Sequence, residues 1–348
     1  MKRIVVVEGL SGSGKSTLSK FVASALNLEY VNLDAVAKSC YEDIDVISRL
    51  KEVFPETIFN GNRVDFKVLA SIVFNDSKMI KLLESILYPC VTLKVEKIIE
   101  DSLNGCVLDG IKVHETSLFE KANYKIFVRR EKEERIESLV NRDNISKERA
   151  SERDNAINFD GLKFDCIIDN DGSLADLKNK VPFIVSEILN GNYCLYAGSF
   201  DPLTNGHLEL IRSASKDYDY VFVGIGDNPN KKRNYDKDVM ADLINESFKD
   251  AGIYNAYCFG YKGYTGEMAN KLKVKELVRG IRNEKDEKEE KMIEEYNYEH
   301  FKLKTKYYIM KDLAHISSTY VRDRIKENLS ISDLVPKNIE KYILVKDA

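Results

Sequence analysis

The sequence predicts an α/β protein of two domains, each built around a doubly wound parallel sheet. Short apolar runs alternate with amphipathic stretches along the whole chain, which is the pattern that strands joined by crossover helices produce. The pattern restarts at Tyr193, directly after the turn-forming segment Asn190-Gly191-Asn192. A length of 348 residues also exceeds what one ordinary hydrophobic core accommodates. We therefore expect one domain over residues 1–190 and a second over residues 191–348.

The predicted elements of the first domain are short apolar strands followed by stretches with helical periodicity. Its strands are expected at Ile4–Glu8, Cys106–Asp109, Tyr124–Val128 and Cys166–Asp169. Its helices are expected at Lys15–Asn27, Phe66–Phe74, Lys78–Ile99 and Ser173–Leu189. The first apolar run meets Glu8 and a glycine-rich turn after a few residues, so it indicates a buried strand and not a signal peptide.

The second domain repeats this alternation with its own set of strands. They are expected at Tyr193–Ala197, Tyr220–Ile225, Tyr257–Phe259, Glu276–Arg279 and Tyr307–Met310. Helices are expected at His207–Lys216 and Lys337–Leu344. The run Glu284–Glu295 carries charges of both signs, which is typical of a solvated helix face.

Composition narrows the classes of function. A net charge of −4 lacks the basic surplus of nucleic-acid-binding proteins. No stretch approaches the roughly 20 apolar residues of a membrane span. The six cysteines are scattered without the paired spacing of metal ligands, which indicates reduced thiols in a cytoplasmic protein. We therefore expect small-molecule substrates, and neither nucleic acid nor membrane as a partner.

The segment Gly9-Leu10-Ser11-Gly12-Ser13-Gly14-Lys15-Ser16 fits the phosphate-binding P-loop pattern between a strand and a helix. Glycines there let backbone amides and the helix N-terminus approach phosphate. Lys15 would reach the β- and γ-phosphates of ATP, and the Ser16 hydroxyl would bind Mg²⁺. The residues expected to bind this nucleotide are Gly12, Ser13, Gly14, Lys15, Ser16 and Thr17. The pattern predicts a site for ATP or GTP without identifying the phosphoryl acceptor.

Asp34 is a candidate base for that acceptor. It ends the next apolar segment, Tyr30–Asp34, and would lie at the carboxyl edge of the sheet, where doubly wound folds bind substrates. Its carboxylate could accept the proton of a substrate hydroxyl, or it could cap a helix that begins at Ala35. Asp109, at the end of another strand, would either help to hold Mg²⁺ through water or serve as a structural cap.

Several segments of the first domain resemble dephospho-coenzyme A kinases over about residues 3–182. The similar segments are Asp34–Lys38, Leu83–Pro89, Arg142–Ser146 with Arg153, and Asp169-Asn170. The resemblance implies catalytic roles for Lys15, Asp34 and Arg142, with Arg142 on a lid that closes over the phosphates. Tyr88 stands where that family has histidine. Val107–Gly110 and Tyr124–Phe127 are also similar to cytidylate kinases, so a nucleotide kinase of that kind stays open.

Four phosphate-suited turns follow predicted strands of the second domain. The first, Gly198–His207, places an imidazole beside a helix N-terminus, which suits a triphosphate. The others are Asn228–Lys232, Val278–Arg282 and Ile316–Thr319. Adenylyl transfer requires the α-phosphate to be held and its developing charge to be neutralised, and these residue types meet that need.

The second domain closely resembles phosphopantetheine adenylyltransferases, from about Tyr193 onward. The resemblance implies catalytic roles for His207, Lys231 and Arg279, and phosphopantetheine contacts from Ser199, Lys231, Thr265 and Arg279. It implies ATP contacts from Ser199, Phe200, His207, Gly280, Ile281, Arg282, Glu290, Leu313, Ala314, His315, Ile316, Ser317, Ser318 and Thr319. Glu287 and Glu289 replace the aromatic residues of that family's subunit-packing helix, which disfavours its usual hexamer and leaves another homo-oligomer open.

The two resemblances fit together, because the product of the second domain would be the substrate of the first. We therefore expect a bifunctional enzyme for the last two steps of coenzyme A synthesis, using ATP, Mg²⁺, 4′-phosphopantetheine and dephospho-coenzyme A. A nicotinamide mononucleotide adenylyltransferase fused to a riboside kinase is an alternative, because Ile316–Thr319 with Arg322 is compatible with it. Another is a regulatory protein whose P-loop only senses nucleotide.

Overall fold

The structure, a computed structural model, describes residues 2–61, 63–73, 76–154, 159, 161–226, 232–281, 284–309 and 316–346. It divides into two compact units, Met1–Asp171 and Gly172–Ala348. The predicted boundary between residues 190 and 191 falls one helix later than this division. Within the described ranges, no helix has both the length and the apolar character that crossing a membrane requires.

The first unit is an α/β fold around a parallel sheet. Its strands are β1 Arg3–Glu8, β2 Glu29–Asn32, β3 Phe59–Asn60, β4 Arg63–Val64, β5 Gly105–Asp109, β6 Tyr124–Arg129 and β7 Cys166–Asp169. Its helices are α1 Lys15–Leu26, α2 Leu33–Cys40, α3 Ile44–Val53, α4 Phe66–Val73, α5 Ser77–Asp101, α6 Ser117–Lys121, α7 Lys132–Asp143 and α8 Lys147–Asp154. The described strands form a parallel sheet in the order β2-β5-β1-β6-β7, and β3 pairs antiparallel with β4.

Strand β1 occupies the centre of the first sheet, between β5 and β6. Val5, Val6 and Val7 are consecutive and fully buried, as expected for a parallel strand covered on both faces. The chain then turns through the P-loop into α1, with Gly14 as N-cap in the left-handed conformation at a φ of 91°. The P-loop therefore lies at the carboxyl end of the central strand and leads directly into the N-terminus of α1.

The second unit is also an α/β fold with a parallel sheet. Its strands are β8 Tyr193–Gly198, β9 Tyr220–Gly226, β10 Ala256–Tyr261, β11 Glu276–Ile281 and β12 Lys304–Ile309. Its helices are α9 Leu174–Ile188, α10 Asn205–Asp217, α11 Lys237–Asp250, α12 Thr265–Lys271, α13 Glu284–Phe301, α14 Ser318–Lys326 and α15 Lys337–Lys346. The described strands lie in the order β10-β9-β8-β11-β12. The order reverses between β8 and β11, the switch point where such sheets bind ligands.

The predicted fold class is confirmed, and the predicted strands and helices agree with the structure to within a few residues. One difference concerns Asp34. Strand β2 ends at Asn32 and Leu33 begins α2, so Asp34 lies in the first turn of a helix and not at a strand end. The Asn32 side chain caps that helix by accepting a hydrogen bond from the Ala35 N–H at 2.8 Å. The alternative of Asp34 as the N-cap is therefore wrong.

Helix α9 belongs to the second unit, although its sequence follows the last strand of the first. It begins at a reciprocal capping box between Ser173 and Asp176 and packs against β10. Its buried side chains include Leu177, Val181, Ile184, Val185 and Ile188. This helix thus completes the core of the second unit.

Candidate active sites

The P-loop is held in place by close packing of its backbone against α7 and by a side chain that directly follows the edge strand β7. Gly12 has a φ of 79°, and a Cβ there would lie 2.5 Å from the Arg135 carbonyl oxygen, so a larger residue does not fit. The Asn170 side-chain amide donates to the Ser13 carbonyl oxygen at 2.7 Å. Asn170 directly follows β7, so the far strand of the sheet fixes the loop that would surround phosphate.

Lys15 lies among charged groups that the sequence analysis identified separately. Burial lowers the pKa of Lys15, and this effect exceeds the opposing attraction of Asp109 and Asp34. Arg142 is close enough to lower the pKa of Lys15 as well. The predicted nucleotide lysine, the predicted base and the predicted lid arginine therefore lie within electrostatic reach of one another.

Asp109 is a buried carboxylate beside Lys15. Its Oδ2 atom accepts a hydrogen bond from the Tyr30 hydroxyl at 2.7 Å and a longer one from the Asn32 amide at 3.4 Å. Its Oδ1 atom is buried and meets no hydrogen-bond partner within the part of the chain that the structure describes. A buried carboxylate oxygen without a donor suits a hard cation or the water bound to it. Asp109 is therefore suited to its predicted role beside magnesium, and the role of Ser16 as a magnesium ligand stays a prediction.

Glu8 and His114 form a buried pair that the sequence analysis did not identify. The Glu8 carboxylate is fully buried and accepts from the His114 backbone N–H at 3.0 Å and from Nδ1 at 2.9 Å. Burial raises the pKa of Glu8, and the hydrogen bonds from His114 oppose that shift only in part. The pair connects the residue before the P-loop to the turn after β5.

The predicted lid is the helical pair α7 and α8, which has a small core of its own at Ile136, Leu139 and Ala150. Arg142 is largely exposed and pairs with Asp143 at 2.8 Å. Arg130, which sequence reasoning missed, reaches the P-loop and donates to the Gly12 carbonyl oxygen at 3.4 Å. Arg130 therefore lies beside the P-loop, and Arg142 lies within electrostatic reach of Lys15, whereas the Arg153 side chain is outside the described residues.

The second site is a cavity of about 620 Å³ at the switch point of the second sheet. It lies at the carboxyl ends of β8, β9 and β11, beside the N-termini of α10 and α14. Its size falls within the range of roughly 300–1,000 Å³ that small-molecule sites occupy. Nine residues predicted to form the site line it: Ser199, His207, Arg279, Gly280, Glu290, Ile316, Ser317, Ser318 and Thr319.

The imidazole of His207 is oriented by the turn that begins α10. The Thr204 backbone N–H donates to His207 Nδ1 at 3.0 Å, and the His207 backbone N–H donates to Thr204 Oγ1 at 3.4 Å. Because an amide N–H can only donate, Nδ1 is the acceptor, and the proton of a neutral imidazole is carried by Nε2. His207 can therefore present an N–H donor to an anion in the cavity.

Arg279 is held by contacts at both ends of its guanidinium. Its Nη1 atom donates to the Ala197 carbonyl oxygen at 2.8 Å, and its Nε atom lies 3.4 Å from Glu290 Oε2. Glu290, predicted as an ATP contact, thus also faces the predicted substrate arginine.

The remaining predicted residues occupy other positions. Phe200 is almost fully buried and packs edge-on against His207, with ring centroids 5.2 Å apart. Ile281 ends β11. Thr265 shares a hydrogen bond with the Tyr261 hydroxyl at 2.8 Å and is not among the described residues that line the cavity. Five predicted residues lie outside the described ranges: Lys231, Arg282, Leu313, Ala314 and His315.

Asp201 and Arg322 are two cavity residues that the site prediction omitted. The buried Asp201 carboxylate accepts from the backbone N–H groups of Asn234 and Tyr235, both at 3.0 Å. Arg322 donates to the Asp201 carbonyl oxygen at 2.5 Å and to Thr319 Oγ1 at 3.1 Å. Asp201 therefore joins the turn after β8 to the loop after β9.

A P-loop at one central strand and a basic cavity at the switch point of a second parallel sheet define a nucleotide-dependent transferase with two separate sites. The dephospho-CoA kinase family model matches residues 3–176, and the cytidylyltransferase-like model matches residues 195–324. The phosphopantetheine adenylyltransferase of Streptococcus pyogenes is 34% identical over 148 residues, which are 42% of this chain and 90% of that protein. The chain belongs to the dephospho-CoA kinase family through its first half and to the phosphopantetheine adenylyltransferase family through its second.

Two proteins of Campylobacter jejuni are also similar to parts of this chain. Its phosphopantetheine adenylyltransferase is 34% identical over 152 residues, which are 43% of this chain and 95% of that protein. Its dephospho-CoA kinase, a solved structure, is 26% identical and aligns with 54% of this chain and 97% of its own, at a TM-score of 0.36. The predicted membership of both families is confirmed by the family models and by the adenylyltransferase relatives.

Proposed function

We propose that this single chain is a bifunctional enzyme that catalyses the last two steps of coenzyme A synthesis. The second unit joins 4′-phosphopantetheine to the AMP part of ATP and releases pyrophosphate. The first unit then transfers the γ-phosphoryl group of a second ATP to the 3′-hydroxyl of dephospho-coenzyme A. The observation that carries this proposal is the presence on one polypeptide of two families whose reactions are consecutive.

In the second unit, a phosphate oxygen of phosphopantetheine attacks the α-phosphorus of ATP, and the bond to the β-phosphate breaks. The attacking group is already an anion, so the site needs to neutralise charge more than it needs a base. His207 supplies an Nε2–H donor, and the N-termini of α10 and α14 supply backbone donors. Arg279, fixed by the Ala197 carbonyl oxygen, orients the acceptor phosphate.

In the first unit, the P-loop amides and Lys15 hold the β- and γ-phosphates. Asp34 accepts the proton of the 3′-hydroxyl as its oxygen attacks the γ-phosphorus, and ADP leaves. Arg142, within electrostatic reach of Asp34, stabilises the transferred phosphoryl group. Ser16 and Asp109 would hold Mg²⁺, which neutralises charge on the phosphates when bound.

The six cysteines are free thiols. This supports the proposal that the enzyme works in a reducing compartment such as the cytoplasm.

The test is incubation of the full chain with 4′-phosphopantetheine, ATP and Mg²⁺, followed by mass analysis of the products. We expect coenzyme A, with dephospho-coenzyme A as a transient species. Accumulation of dephospho-coenzyme A as the end product would contradict the kinase half of the proposal. Absence of any adenylylated product would contradict the adenylyltransferase half.

A further inference from the structure

Arg233 is a firmly held side chain in the wall of the adenylyltransferase cavity, two residues after the predicted substrate lysine Lys231. Its Nη1 atom donates to the Ser199 carbonyl oxygen at 2.7 Å, and its Nε atom donates to the Tyr235 carbonyl oxygen at 3.3 Å. The side chain is only 19% exposed. These contacts orient the guanidinium with respect to the turn after β8.

One end of this guanidinium lacks an acceptor. Arg233 Nη2 is buried and has no hydrogen-bond partner among the described residues. The nearby Asp201 Oδ1 atom lies 3.9 Å away, beyond hydrogen-bond distance, and already accepts from the Tyr235 N–H. The ion pair with Asp201 offsets part of the loss of water, but a buried charged donor without a hydrogen-bond acceptor still costs free energy. An anionic ligand in the cavity would remove that cost.

The other guanidinium groups that line the described part of the cavity are already engaged. Arg279 faces Glu290 and the Ala197 carbonyl oxygen. Arg322 donates to the Asp201 carbonyl oxygen and to Thr319. Arginine remains charged at any physiological pH, and its planar fork suits the oxygens of a phosphate group. Arg233 is therefore the arginine best placed to gain a bond when an anion enters.

We propose that Arg233 binds the phosphate monoester of the acceptor through Nη2, an inference that rests on the proposed function. Lys231, two residues earlier in the chain, is predicted to contact this acceptor, and Ser199, which anchors Arg233, is predicted to contact both the acceptor and ATP. His207 and the turn Ser317–Thr319 are predicted to contact ATP. The position of Arg233 beside Ser199 and two residues after Lys231 thus points to the acceptor phosphate and makes Arg233 a determinant of specificity for phosphorylated pantetheine.

Isothermal titration in the absence of ATP tests this assignment directly, with 4′-phosphopantetheine and unphosphorylated pantetheine as the two probes. Arg233→Gln should weaken the binding of phosphopantetheine at least tenfold, which corresponds to about 1.4 kcal/mol. The binding of pantetheine should change less than about twofold, because that ligand lacks the group that Arg233 contacts. Arg233→Lys should give an intermediate affinity, because lysine keeps the charge but loses the fork.

A matched control is Lys249→Gln, which removes an exposed positive charge from the last turn of α11 and should leave both affinities unchanged. Equal binding of phosphopantetheine by Arg233→Gln and the unaltered enzyme would overturn the inference. A similar loss for both probes would also overturn it, as would a rise in the KM for ATP with the KM for phosphopantetheine unchanged. If the unaltered enzyme forms no dephospho-coenzyme A, the proposed function fails first.

Discussion

At the scale of single residues, the orientation of His207 illustrates how a local hydrogen bond sets a chemical role. The Thr204 N–H occupies Nδ1 and leaves the proton on Nε2. We expect His207→Ala to lower the adenylyl-transfer kcat by roughly 10²–10³-fold, the usual effect of removing one donor to a developing charge. The measurement is pyrophosphate release with phosphopantetheine and ATP as substrates.

The control for that variant uses the other site of the same chain. His207→Ala should phosphorylate added dephospho-coenzyme A at the unaltered rate, and Lys15→Ala should show the reverse pattern. Loss of both activities in either variant, with folding intact, would count against two independent sites.

Glu8 gives a prediction about pH, because burial raises its pKa above the ordinary value of 4.5. A carboxyl group with a raised pKa in the folded protein contributes most to stability below its ordinary value, and this contribution is lost as the pH rises through the raised value. We therefore expect Glu8→Gln to gain stability relative to the unaltered protein as the pH rises from about 4.5 towards neutrality. Thermal unfolding of both proteins across that range measures the difference.

Glu29→Gln is the matched control for Glu8, because Glu29 is an exposed carboxylate in the same unit. It should shift the melting temperature little and without a trend in pH. A difference between Glu8→Gln and the unaltered protein that stayed constant with pH would show that the buried charge is not the cause.

At the scale of structural elements, the P-loop depends on the close approach of Gly12 to α7. A Cβ at this position would meet the Arg135 carbonyl oxygen at 2.5 Å, so Gly12→Ala must displace the loop. A displacement of about 1 Å at a catalytic loop can cost on the order of 10²-fold in rate, and we expect a kinase loss of that size. The kcat for dephospho-coenzyme A phosphorylation measures it.

Gly61→Ala is the control for Gly12→Ala, because it introduces the backbone strain of a positive φ without a steric clash of the new Cβ. Gly61 also has a positive φ, of 63°, but no described atom beyond its chain neighbours lies within 4 Å of the position of its Cβ. Gly61→Ala should reduce the free energy of unfolding by roughly 1–2 kcal/mol and leave the kinase rate unchanged. Equal rates for Gly12→Ala and the unaltered enzyme would show that the loop tolerates the shift.

The strands and the two phosphate-binding turns could be predicted from sequence because their signals are local. Apolar runs such as Val5–Val7 and motifs such as Gly9–Ser16 involve only residues that are close together in the sequence. The pairs Glu8 with His114 and Tyr30 with Asp109 join residues 106 and 79 positions apart, which no spacing rule detects. Sequence reasoning missed Arg233, because its burial depends on a contact with Ser199, in the turn after another strand.

At the scale of the whole molecule, helix α9 determines where the adenylyltransferase unit begins. The sequence places it at the end of the first domain, because the turn-forming segment Asn190-Gly191-Asn192 follows it and the strand pattern restarts at Tyr193. In the structure it packs against β10, and Glu187 pairs with Lys273 at 2.7 Å. The turn Asn190–Asn192 is therefore a connection inside the second unit.

This assignment predicts that a fragment of residues 172–348 is more stable than a fragment of residues 191–348. The shorter fragment lacks α9, so the surface against which Leu177, Val181, Ile184 and Val185 pack is exposed to water. Burial of each such aliphatic side chain contributes roughly 1.5–3 kcal/mol to stability. Ion pairs at the surface add little, so the apolar contacts dominate the difference. Thermal unfolding of the two fragments, with adenylyl transfer as the test of folding, measures it. Equal melting temperatures would mean that α9 belongs with the kinase unit, as the sequence alone suggested.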